Sequence, residues 1–379
     1  MTTSPTLTVD ESDISAPQLL GPWALMWRKF RRHKVAFLSL WLVVLIYLMA
    51  MFGEFMAPAD PADTNRRGIF APPQGIHLFV TDAEGNSSFK LHAKAQKMKI
   101  DQSTMRRTYV SDETKIVPLG FFVKGAEYKT LGLFKSNVHL FGPVNAKDRF
   151  YLLGADRLGR DIASRIIVGT KVSMSIGLVG VVVSLIVGVT LGGLSGFYGG
   201  WVDNLIQRLI EFLRSIPTIP LWMGLAAAIP LGWPPLRTYF VVTLIVSMIG
   251  WTSLAREVRG KFLSLRKEDF ITAAQLDGLS DWEVIRKHMV PSFSSHIIAS
   301  LTLAVPLMIL AETSLSFLGI GLQPPIISWG TLLKEAQNIR TIIEAPWLLI
   351  APGTMIVIAV LALNFLGDGL RDAADPHAS

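Results

Sequence analysis

The sequence predicts an all-α polytopic membrane protein with six transmembrane helices, cytoplasmic N- and C-termini, and a β-rich extracytoplasmic insertion after the first helix. Half of the 379 residues are hydrophobic and only 17% are charged, a composition too apolar for an ordinary soluble domain. Long apolar runs recur along the chain, and basic residues concentrate in the segments that flank them. Such a basic excess in short loops is typical of the cytoplasmic side of a membrane.

The net charge of +7 does not indicate nucleic-acid binding. The basic residues are spread among loops rather than gathered with aromatic residues on one face, so no nucleic-acid partner is expected. The chain has no cysteine, which excludes a disulfide framework, a thiolate nucleophile and a Cys-ligated zinc ion. We expect the chain to be embedded in the lipid membrane. No metal site is predicted.

Residues 1–34 are predicted to form a cytoplasmic N-terminal tail, and residues 35–55 the first transmembrane helix. The tail is polar and ends in a basic cluster at residues 27–34, directly before the apolar run. That run is longer than the hydrophobic region of a signal peptide and lacks a small-residue cleavage site. We therefore expect an uncleaved helix whose N-terminus lies in the cytoplasm.

Residues 56–150 are predicted to be an extracytoplasmic insertion that contains a small β-rich domain. No apolar run in this region is long enough to span a bilayer. Turn formers separate five short β-like runs, at residues 76–80, 88–92, 108–110, 119–123 and 137–141. An unstructured loop is the alternative. The many lysines are compatible with an outside location because long loops translocate largely regardless of charge.

The remaining residues, 151–376, are predicted to form a core of five further spans. These spans are expected near residues 170–198, 209–229, 238–254, 295–320 and 346–366. Gly188, Gly192, Gly196 and Gly200 recur at every fourth position of the second span, a spacing that lets two membrane helices pack closely. They follow no strand and carry no Lys-Ser or Lys-Thr pair, so they do not form a phosphate-binding loop.

Three residues in these spans are candidates for the pathway or for helix packing. Pro217 and Pro220 lie in the third span, where they kink or unwind the helix. A break that lines a water-filled pathway and a simple packing kink both remain open. Glu312 is the ionisable group that stands out in the fifth span, and it is expected to face the bundle or an aqueous cavity. A structural hydrogen bond and a transport role are its two interpretations.

A polar motif, LGADRLGRDIASR, occupies residues 153–165 before the second span. Its two carboxylates, Asp156 and Asp161, could serve acid/base or metal chemistry. The interleaved arginines, among them Arg160 and Arg165, favour mutual salt bridges. Together with Gly159, these residues are predicted to shape the outer mouth of a pathway.

Residues 256–291 are predicted to form a cytoplasmic loop that contains a charged helical hairpin. Its first helix ends at Gly278, since glycine readily adopts a left-handed conformation. Ser280 and Glu283 have the spacing of a capping box and begin the second helix, which Pro291 is expected to end. This pattern indicates a docking module rather than a catalytic one.

The hairpin closely resembles the coupling loop, or EAA loop, of ABC-importer membrane subunits. From residue 273 it reads AAQLDGLSDWEVIRKHMVP, similar to the pattern AAxxxGxSDWxIIxxHxLP of the oligopeptide/dipeptide/nickel subfamily. The motif at residues 153–165 resembles that subfamily's LGTDxxGRDxxSR, and residues 363–376, LNFLGDGLRDAADP, resemble LNLLGDGLRDxLDP. Residues 312–330 are also similar to the segment that follows the loop. On these four motifs the chain is identified as a permease subunit of a type I ABC importer.

The resemblance implies that the chain forms half of a translocation pathway for oligopeptides or dipeptides in the cytoplasmic membrane of a bacterium or archaeon. The implied partners are a second permease subunit, two ATPase subunits and an extracytoplasmic solute-binding protein. The chain itself is expected to be non-enzymatic and to bind no cofactor, with ATP and Mg held by the ATPases. The residues expected to contact the ATPases are Ala273, Ala274, Gln275, Asp277, Gly278, Ser280, Asp281 and Trp282.

Other functions remain as alternatives. The same importer class also carries oligosaccharides, opines or metal chelates. A secondary transporter driven by an ion gradient is expected to show inverted repeats or carboxylates along several helices, and neither is evident. An intramembrane protease needs partners for its catalytic groups, and His288 and His296 have none in the sequence pattern.

Overall fold

The protein is mainly helical, with one sheet inserted between the first and second long helices. The computed structural model describes residues 21–81, 87–100, 102, 107–130, 133–230 and 232–374. The first 20 residues of the predicted N-terminal tail therefore lie outside the described residues.

The N-terminal elements are α1 (Pro22–Arg32), α2 (Lys34–Met51), α3 (Gly53–Met56), β1 (Ile76–Thr81), β2 (Ser87–Ile100), β3 (Arg107–Thr130) and β4 (Phe134–Pro143). The next helices are α4 (Ile162–Tyr198), α5 (Gly200–Ser215), α6 (Thr218–Ala227), α7 (Pro235–Leu265), α8 (Asp269–Leu276) and α9 (Asp281–Val284). The last are α10 (Val290–Ser292), α11 (Ser294–Phe317), α12 (Trp329–Glu335), α13 (Ile339–Glu344) and α14 (Trp347–Ala374).

Five of the described helices are long and apolar enough to cross a membrane, namely α2, α4, α7, α11 and α14. They correspond to the first, second, fourth, fifth and sixth predicted spans. Helix α4 has 37 residues, which makes it about 55 Å long at 1.5 Å per residue. Because the hydrocarbon core of a bilayer is only about 30 Å thick, α4 extends beyond it.

The third predicted span, residues 209–229, is interrupted at Pro217, one of the two prolines that were predicted to kink or unwind it, and so is not one continuous helix. The chain forms α5, then an extended break at Ile216 and Pro217 with ψ angles of 129° and 126°, then α6. Proline has no N–H group and its ring clashes with the preceding turn, so α5 cannot continue through Pro217. Helix α6 is apolar but has only 10 residues, about half of the length that a bilayer core requires.

Helices α4 and α7 pack against each other in parallel along the predicted glycine ridge. A Cβ atom built on Gly188 would lie 3.0 Å from Leu254 Cβ, and one built on Gly196 would lie 3.1 Å from Arg259 Cα. Residue numbers therefore increase in the same direction along α4 and α7, so the two helices are parallel. Gly200 was predicted to extend this ridge, but it begins α5 with a φ of +55° and open space at its Cβ position.

The segment between these two parallel helices runs back along α7 in the opposite direction. At the start of α5, Asp203 pairs with Arg259 near the end of α7, at 2.5 Å. Near the end of α5, Arg214 donates to Ser253 earlier in α7, at 3.3 Å. The C-terminal end of α6 then lines a cavity of about 480 Å³ together with the first residues of α7. Thus α5 and α6 together return the chain to the level at which α7 begins.

The predicted N-terminal tail contains a helix, α1, that the sequence analysis did not expect. His33 separates α1 from α2 with a non-helical ψ of 88°, and its Nδ1 accepts a hydrogen bond from the Ala36 N–H at 3.1 Å. Phe30 and Ala36 are 1% and 0% exposed and contact Gly369 of α14. The beginning of α2 and the end of α14 therefore lie together.

The predicted β-rich region is a four-stranded antiparallel sheet in the order β1-β2-β3-β4. The short runs predicted at residues 108–110 and 119–123 belong to one strand, β3, which has 24 residues. Its first half pairs with β2 and its second half with β4. One long strand that serves two partners explains why local turn signals overestimated the number of strands.

The sheet is attached to the chain that leaves α3. His139 Nδ1 of β4 lies 2.8 Å from the Ala57 carbonyl oxygen, and the rings of Phe55 and Phe122 have centroids 6.3 Å apart. These contacts fix the sheet beyond the C-terminal end of α2, at the opposite end of that helix from α1.

Replacing Gly192 with Ala is expected to lower the free energy of unfolding by about 1–3 kcal/mol, the usual cost of overpacking. Its Cβ atom would lie 2.8 Å from Ala255 Cα on the backbone of α7, so the two helices must separate. Thermal unfolding of the purified protein in detergent measures the effect. Gly260→Ala is the control because its Cβ would meet nothing within 4 Å; an equal loss in both variants would contradict close α4–α7 packing.

Candidate functional site

The predicted coupling loop folds as a helical hairpin between α7 and α11. Helix α8 ends before Gly278, which has a φ of +81°. The capping box forms as predicted: Glu283 N–H donates to Ser280 Oγ at 3.4 Å, and Ser280 N–H donates to Glu283 Oε2 at 3.2 Å. Hydrogen bonds from Lys287, at 2.8 Å, and from Ser280 lower the pKa of Glu283 to about 2. The turn is therefore held by its own side chains.

One face of the hairpin is buried against the ends of the long helices. Ile271, Val284 and Met289 are completely buried and belong to one apolar cluster with Phe262 of α7. The ring of Phe262 meets Phe293, which leads into α11, edge to face with centroids 5.8 Å apart. The hairpin is thus packed onto both helices that flank it.

The opposite face is exposed and carries most of the residues predicted to contact the ATPases. These exposed residues are Ala273, Gln275, Asp277, Gly278, Ser280, Asp281 and Trp282. Ala274 is different, because it is 5% exposed and packs into the apolar cluster of the hairpin itself. Its small side chain therefore serves the fold of the hairpin.

Two exposed apolar residues of the hairpin were missed in the sequence analysis. Phe270 and Leu276 are 45% and 82% exposed. With Ala273 between them, they recur at every third position of α8, out of phase with the buried Ile271 and Ala274. This second stripe was the signal that could have identified them. Grouped exposed apolar residues are typical of a protein–protein interaction surface.

Pro291 does not end the second helix of the hairpin, contrary to the prediction. After α9, residues Ile285–Met289 form one π-helical turn, and α10 follows with Pro291 in its first turn. The Val290 N–H bonds to the Ile285 carbonyl oxygen in the π pattern, and Pro291, which has no N–H group, follows directly. The helical segment ends instead at Phe293, whose φ is −129°.

A buried network of four charged side chains lies beyond the N-terminal end of α4. Asp156 Oδ2 accepts hydrogen bonds from Arg160 and Arg165, both at 2.6 Å. Glu335 of α12 accepts from Arg165 at 2.6 Å and 2.9 Å and from Arg160 at 3.2 Å. The side chains of Asp156, Arg165 and Glu335 are only 1%, 3% and 8% exposed. The network joins the polar motif to α12.

Glu335 was not among the predicted site residues. Burial alone raises the pKa of this carboxyl, but hydrogen bonding and charge from Arg165 and Arg160 outweigh that effect and lower it. Glu335 therefore remains ionised and balances the second arginine. Its partners lie 170 and 175 residues away in sequence, so no local motif could have identified it.

Asp161 does not join this network and caps α4 instead. Its Oδ2 accepts hydrogen bonds from the Ser164 N–H at 2.7 Å and from the Ser164 hydroxyl at 2.6 Å. Burial raises the pKa of Asp161 to about 6, although the hydrogen bonds from Ser164 oppose the rise. Nearby Gly159 has a φ of +74°, and the Asn65 carbonyl oxygen occupies the space that a Cβ would need. The expected salt bridges thus form at Asp156 and not at Asp161.

Replacing Asp161 with Asn is expected to stabilise the protein progressively, relative to wild type, as the pH rises. The folded pKa of about 6 exceeds the ordinary value of 3.8, so the wild-type carboxyl favours folding below pH 3.8 and loses that contribution as the pH rises through 6. The shift corresponds to about 3 kcal/mol at 1.36 kcal/mol per unit. Asn keeps the helix cap. Unfolding curves across this pH range measure the difference; a constant difference would contradict the assignment.

A cavity of about 700 Å³ opens between α6, α7 and α11. Its walls are largely apolar, with Thr218 and Trp222 contributed by α6 just after the break at Pro217. Polar residues, among them Glu257 and Ser300, line the end of the cavity that is nearest the hairpin. The Ser300 hydroxyl donates a hydrogen bond to the Glu257 carboxylate at 2.6 Å. This polar region is formed by the C-terminal part of α7 and the N-terminal part of α11, and the hairpin connects these two helix ends.

The three predicted pathway or packing residues lie outside the lining of this cavity. Pro217 and Pro220 form and follow the break that delivers α6 to the cavity wall. Glu312 is completely buried, and its Oε1 accepts hydrogen bonds from Ser316 at 2.8 Å and Ser328 at 2.7 Å. The geometry of Glu312 favours a structural hydrogen bond between α11 and the start of α12.

No group of His, Asp or Glu side chains suited to holding a metal ion occurs in the part of the chain that the structure describes. The charged clusters there are neutralised by side chains of the protein, as in the network around Asp156. The candidate functional site consists of three parts, which are the exposed face of the hairpin, the cavity between α6, α7 and α11, and the buried network around Asp156.

Residues 188–379 match the family described as "Binding-protein-dependent transport system inner membrane component". Residues 21–73 match the "N-terminal TM domain of oligopeptide transport permease C". The first match includes the hairpin, the cavity-lining helices α7 and α11, and the C-terminal helix. The second includes α1, α2 and α3.

Curated relatives extend this similarity to almost the whole chain. The dipeptide transport system permease protein DppC of Lactococcus lactis subsp. cremoris is 30% identical over 98% of this chain and 95% of its own length. The glutathione transport system permease protein GsiD of Pectobacterium atrosepticum is 39% identical over 62% of this chain and 74% of its own length. The oligopeptide transport system permease protein OppC of Bacillus subtilis is 36% identical, over 61% and 72%.

Proposed function

Because the chain belongs to the family of binding-protein-dependent transport system inner membrane components, we propose that it forms one half of the translocation pathway of an ATP-driven importer for oligopeptides or dipeptides. The observation that carries this proposal is the family match together with relatives named for dipeptide, oligopeptide and glutathione transport. The chain acts as a transport subunit and performs no catalysis of its own.

The packing of the hairpin supports a mechanism for this role. Its exposed face, with Phe270, Leu276 and Trp282, docks into a groove of an ATPase subunit that binds ATP and Mg. Its buried face shares one apolar core with α7 and α11. The same two helices wall the cavity, so closure of the ATPase dimer moves the hairpin and the cavity walls together.

We further propose six membrane crossings, with α5 and α6 jointly forming the third. The parallel packing of α4 and α7 supports this, because two successive parallel spans require a return crossing between them. The break at Pro217 and the short helix α6 can be tolerated in a membrane if their unpaired backbone groups face protein or a water-filled cavity. The hairpin, α1 and the end of α14 then lie on the cytoplasmic side, as does the N-terminus.

The proposed partners are a second permease subunit, two ATPase subunits and an extracytoplasmic solute-binding protein in a bacterial or archaeal inner membrane. Oligosaccharides, opines and metal chelates remain alternative substrates, and a gradient-driven carrier is the alternative mechanism. The names of the relatives favour peptides over these.

We propose that the sheet contacts the solute-binding protein or caps the outer mouth of the pathway. Replacing residues 76–143 with a short flexible linker is expected to abolish most uptake while leaving assembly with the other subunits intact. We expect assembly to remain intact because the sheet is attached beyond the C-terminal end of α2, on the side of the protein opposite to the hairpin. We expect uptake to fall because that side is where the binding protein delivers its solute. Uptake and binding-protein docking are measured in parallel, and unchanged values for both would reject this role.

The proposal is tested by purifying the tagged chain from its own membranes in mild detergent and identifying its partners by mass spectrometry. Recovery of a second permease, Walker-type ATPases and a solute-binding protein is expected. Recovery of the chain alone, under conditions that preserve another ABC complex from the same membranes, would overturn it. The recovered binding protein also allows peptides and sugars to be compared directly as ligands.

A further inference from the structure

Helix α1 carries an apolar stripe of which only one end is covered by protein. Trp23, Met26, Trp27 and Phe30 lie at helical spacing on one face. Phe30 is 1% exposed against α14, and Met26 is partly buried beside it. Trp23 and Trp27 continue the same stripe but are 57% and 50% exposed. The stripe therefore extends beyond the edge of the protein.

Three arginines lie on α1 outside the apolar stripe, near its C-terminal end. Arg28, Arg31 and Arg32 are exposed. None of the three forms an ion pair or side-chain hydrogen bond with any residue that the structure describes. Three unpaired guanidinium groups on one short helix attract an anionic partner.

The position of α1 identifies that partner. His33 turns the chain out of α1, and the next residue begins α2, the first membrane-crossing helix. A helix at this position lies at the level of lipid headgroups. Tryptophan side chains favour that interface, and arginines beside it attract anionic headgroups.

We infer that α1 is a binding site for anionic phospholipid headgroups, with Trp23 and Trp27 inserted at the membrane interface and Arg28, Arg31 and Arg32 contacting phosphates. Each basic residue near an anionic membrane surface strengthens binding about fivefold. Loss of all three arginines therefore reduces the preference for anionic lipid by roughly 100-fold. Because Phe30 packs on α14, lipid binding also fixes the cytoplasmic end of that helix.

The absence of cysteine from the chain permits a site-specific test. Single variants Trp23→Cys and Leu25→Cys, placed on the stripe and on the exposed opposite face, are labelled with a fluorophore in the purified full-length protein, which is then combined with its partner subunits. The complexes are placed in nanodiscs of phosphatidylcholine alone or of phosphatidylcholine mixed with phosphatidylglycerol. Quenching by a lipid-borne nitroxide is compared with quenching by aqueous acrylamide.

The label at position 23 is expected to be quenched by the lipid nitroxide and protected from acrylamide, more strongly with phosphatidylglycerol, while position 25 stays accessible to acrylamide. Combining Trp23→Cys with Arg28→Gln, Arg31→Gln and Arg32→Gln removes the dependence on phosphatidylglycerol. Protection that is the same in both lipids would show that anionic headgroups are not what α1 binds and would overturn the inference, as would full access of acrylamide to position 23. These readouts measure lipid contact and do not depend on which solute is transported.

Discussion

Replacing Arg165 with Ala is expected to lower the free energy of unfolding by about 3–5 kcal/mol, because removing one partner of a buried ion pair leaves an uncompensated charge. Arg165 is the central member of the buried network, with hydrogen bonds to both Asp156 and Glu335. Without it, two buried carboxylates share only Arg160. The loss is measured by denaturant or thermal unfolding of the purified protein in detergent.

Arg208→Ala is the matched control for this prediction. Arg208 also pairs with a carboxylate, Glu211 at 2.9 Å, but the two side chains are 83% and 51% exposed. An exposed pair of this kind contributes at most about 1 kcal/mol. Equal stability losses in Arg165→Ala and Arg208→Ala would contradict the claim that the network is buried and holds α12 to the start of α4.

Replacing Gly278 with Val is expected to abolish most uptake while the protein still assembles in the membrane. Glycine has a φ of +81° there, and the left-handed conformation costs an L residue about 1–2 kcal/mol. That cost shifts the population of the native turn by roughly tenfold or more. The residues around Gly278 are exposed and form the proposed contact with the ATPase, so we expect ATP hydrolysis to continue without transport.

Gly353→Val separates this effect from a general cost of losing a glycine. Gly353 lies within α14, has an ordinary φ, and its Cβ would also meet nothing within 4 Å. Uptake by Gly353→Val is expected to remain close to wild type. Normal uptake by Gly278→Val, with both proteins present at equal levels, would contradict the role of the hairpin.

Features determined by neighbouring residues were predictable from the sequence. The capping box of Ser280 and Glu283, the left-handed Gly278 and the close packing at Gly188 all depend on spacing within a few turns. Each is governed by backbone geometry that the residue type itself dictates. The β-rich character of the insertion followed in the same way, from alternation and turn residues.

Features determined by distant residues were not predictable. Glu335 completes the network from 170 residues away, and Ala274 is turned inward by the core that the hairpin shares with α7. The break at Pro217 was predicted as a kink or an unwinding, but the apolar composition on both sides concealed the division into two helices. Sequence spacing gives the periodicity of a helix and does not determine which partner each face will meet.

The central claim, that this chain is the permease half of an ATP-driven peptide importer, is tested most directly by transport in liposomes. The purified complex is reconstituted with the binding protein and a labelled peptide on one side and ATP on the other, with ionophores present to collapse ion gradients. We expect peptide transport that requires both ATP and the binding protein, is unaffected by ionophores and is lost in Gly278→Val. Transport that continues without ATP and stops when the ionophores are added would contradict the claim.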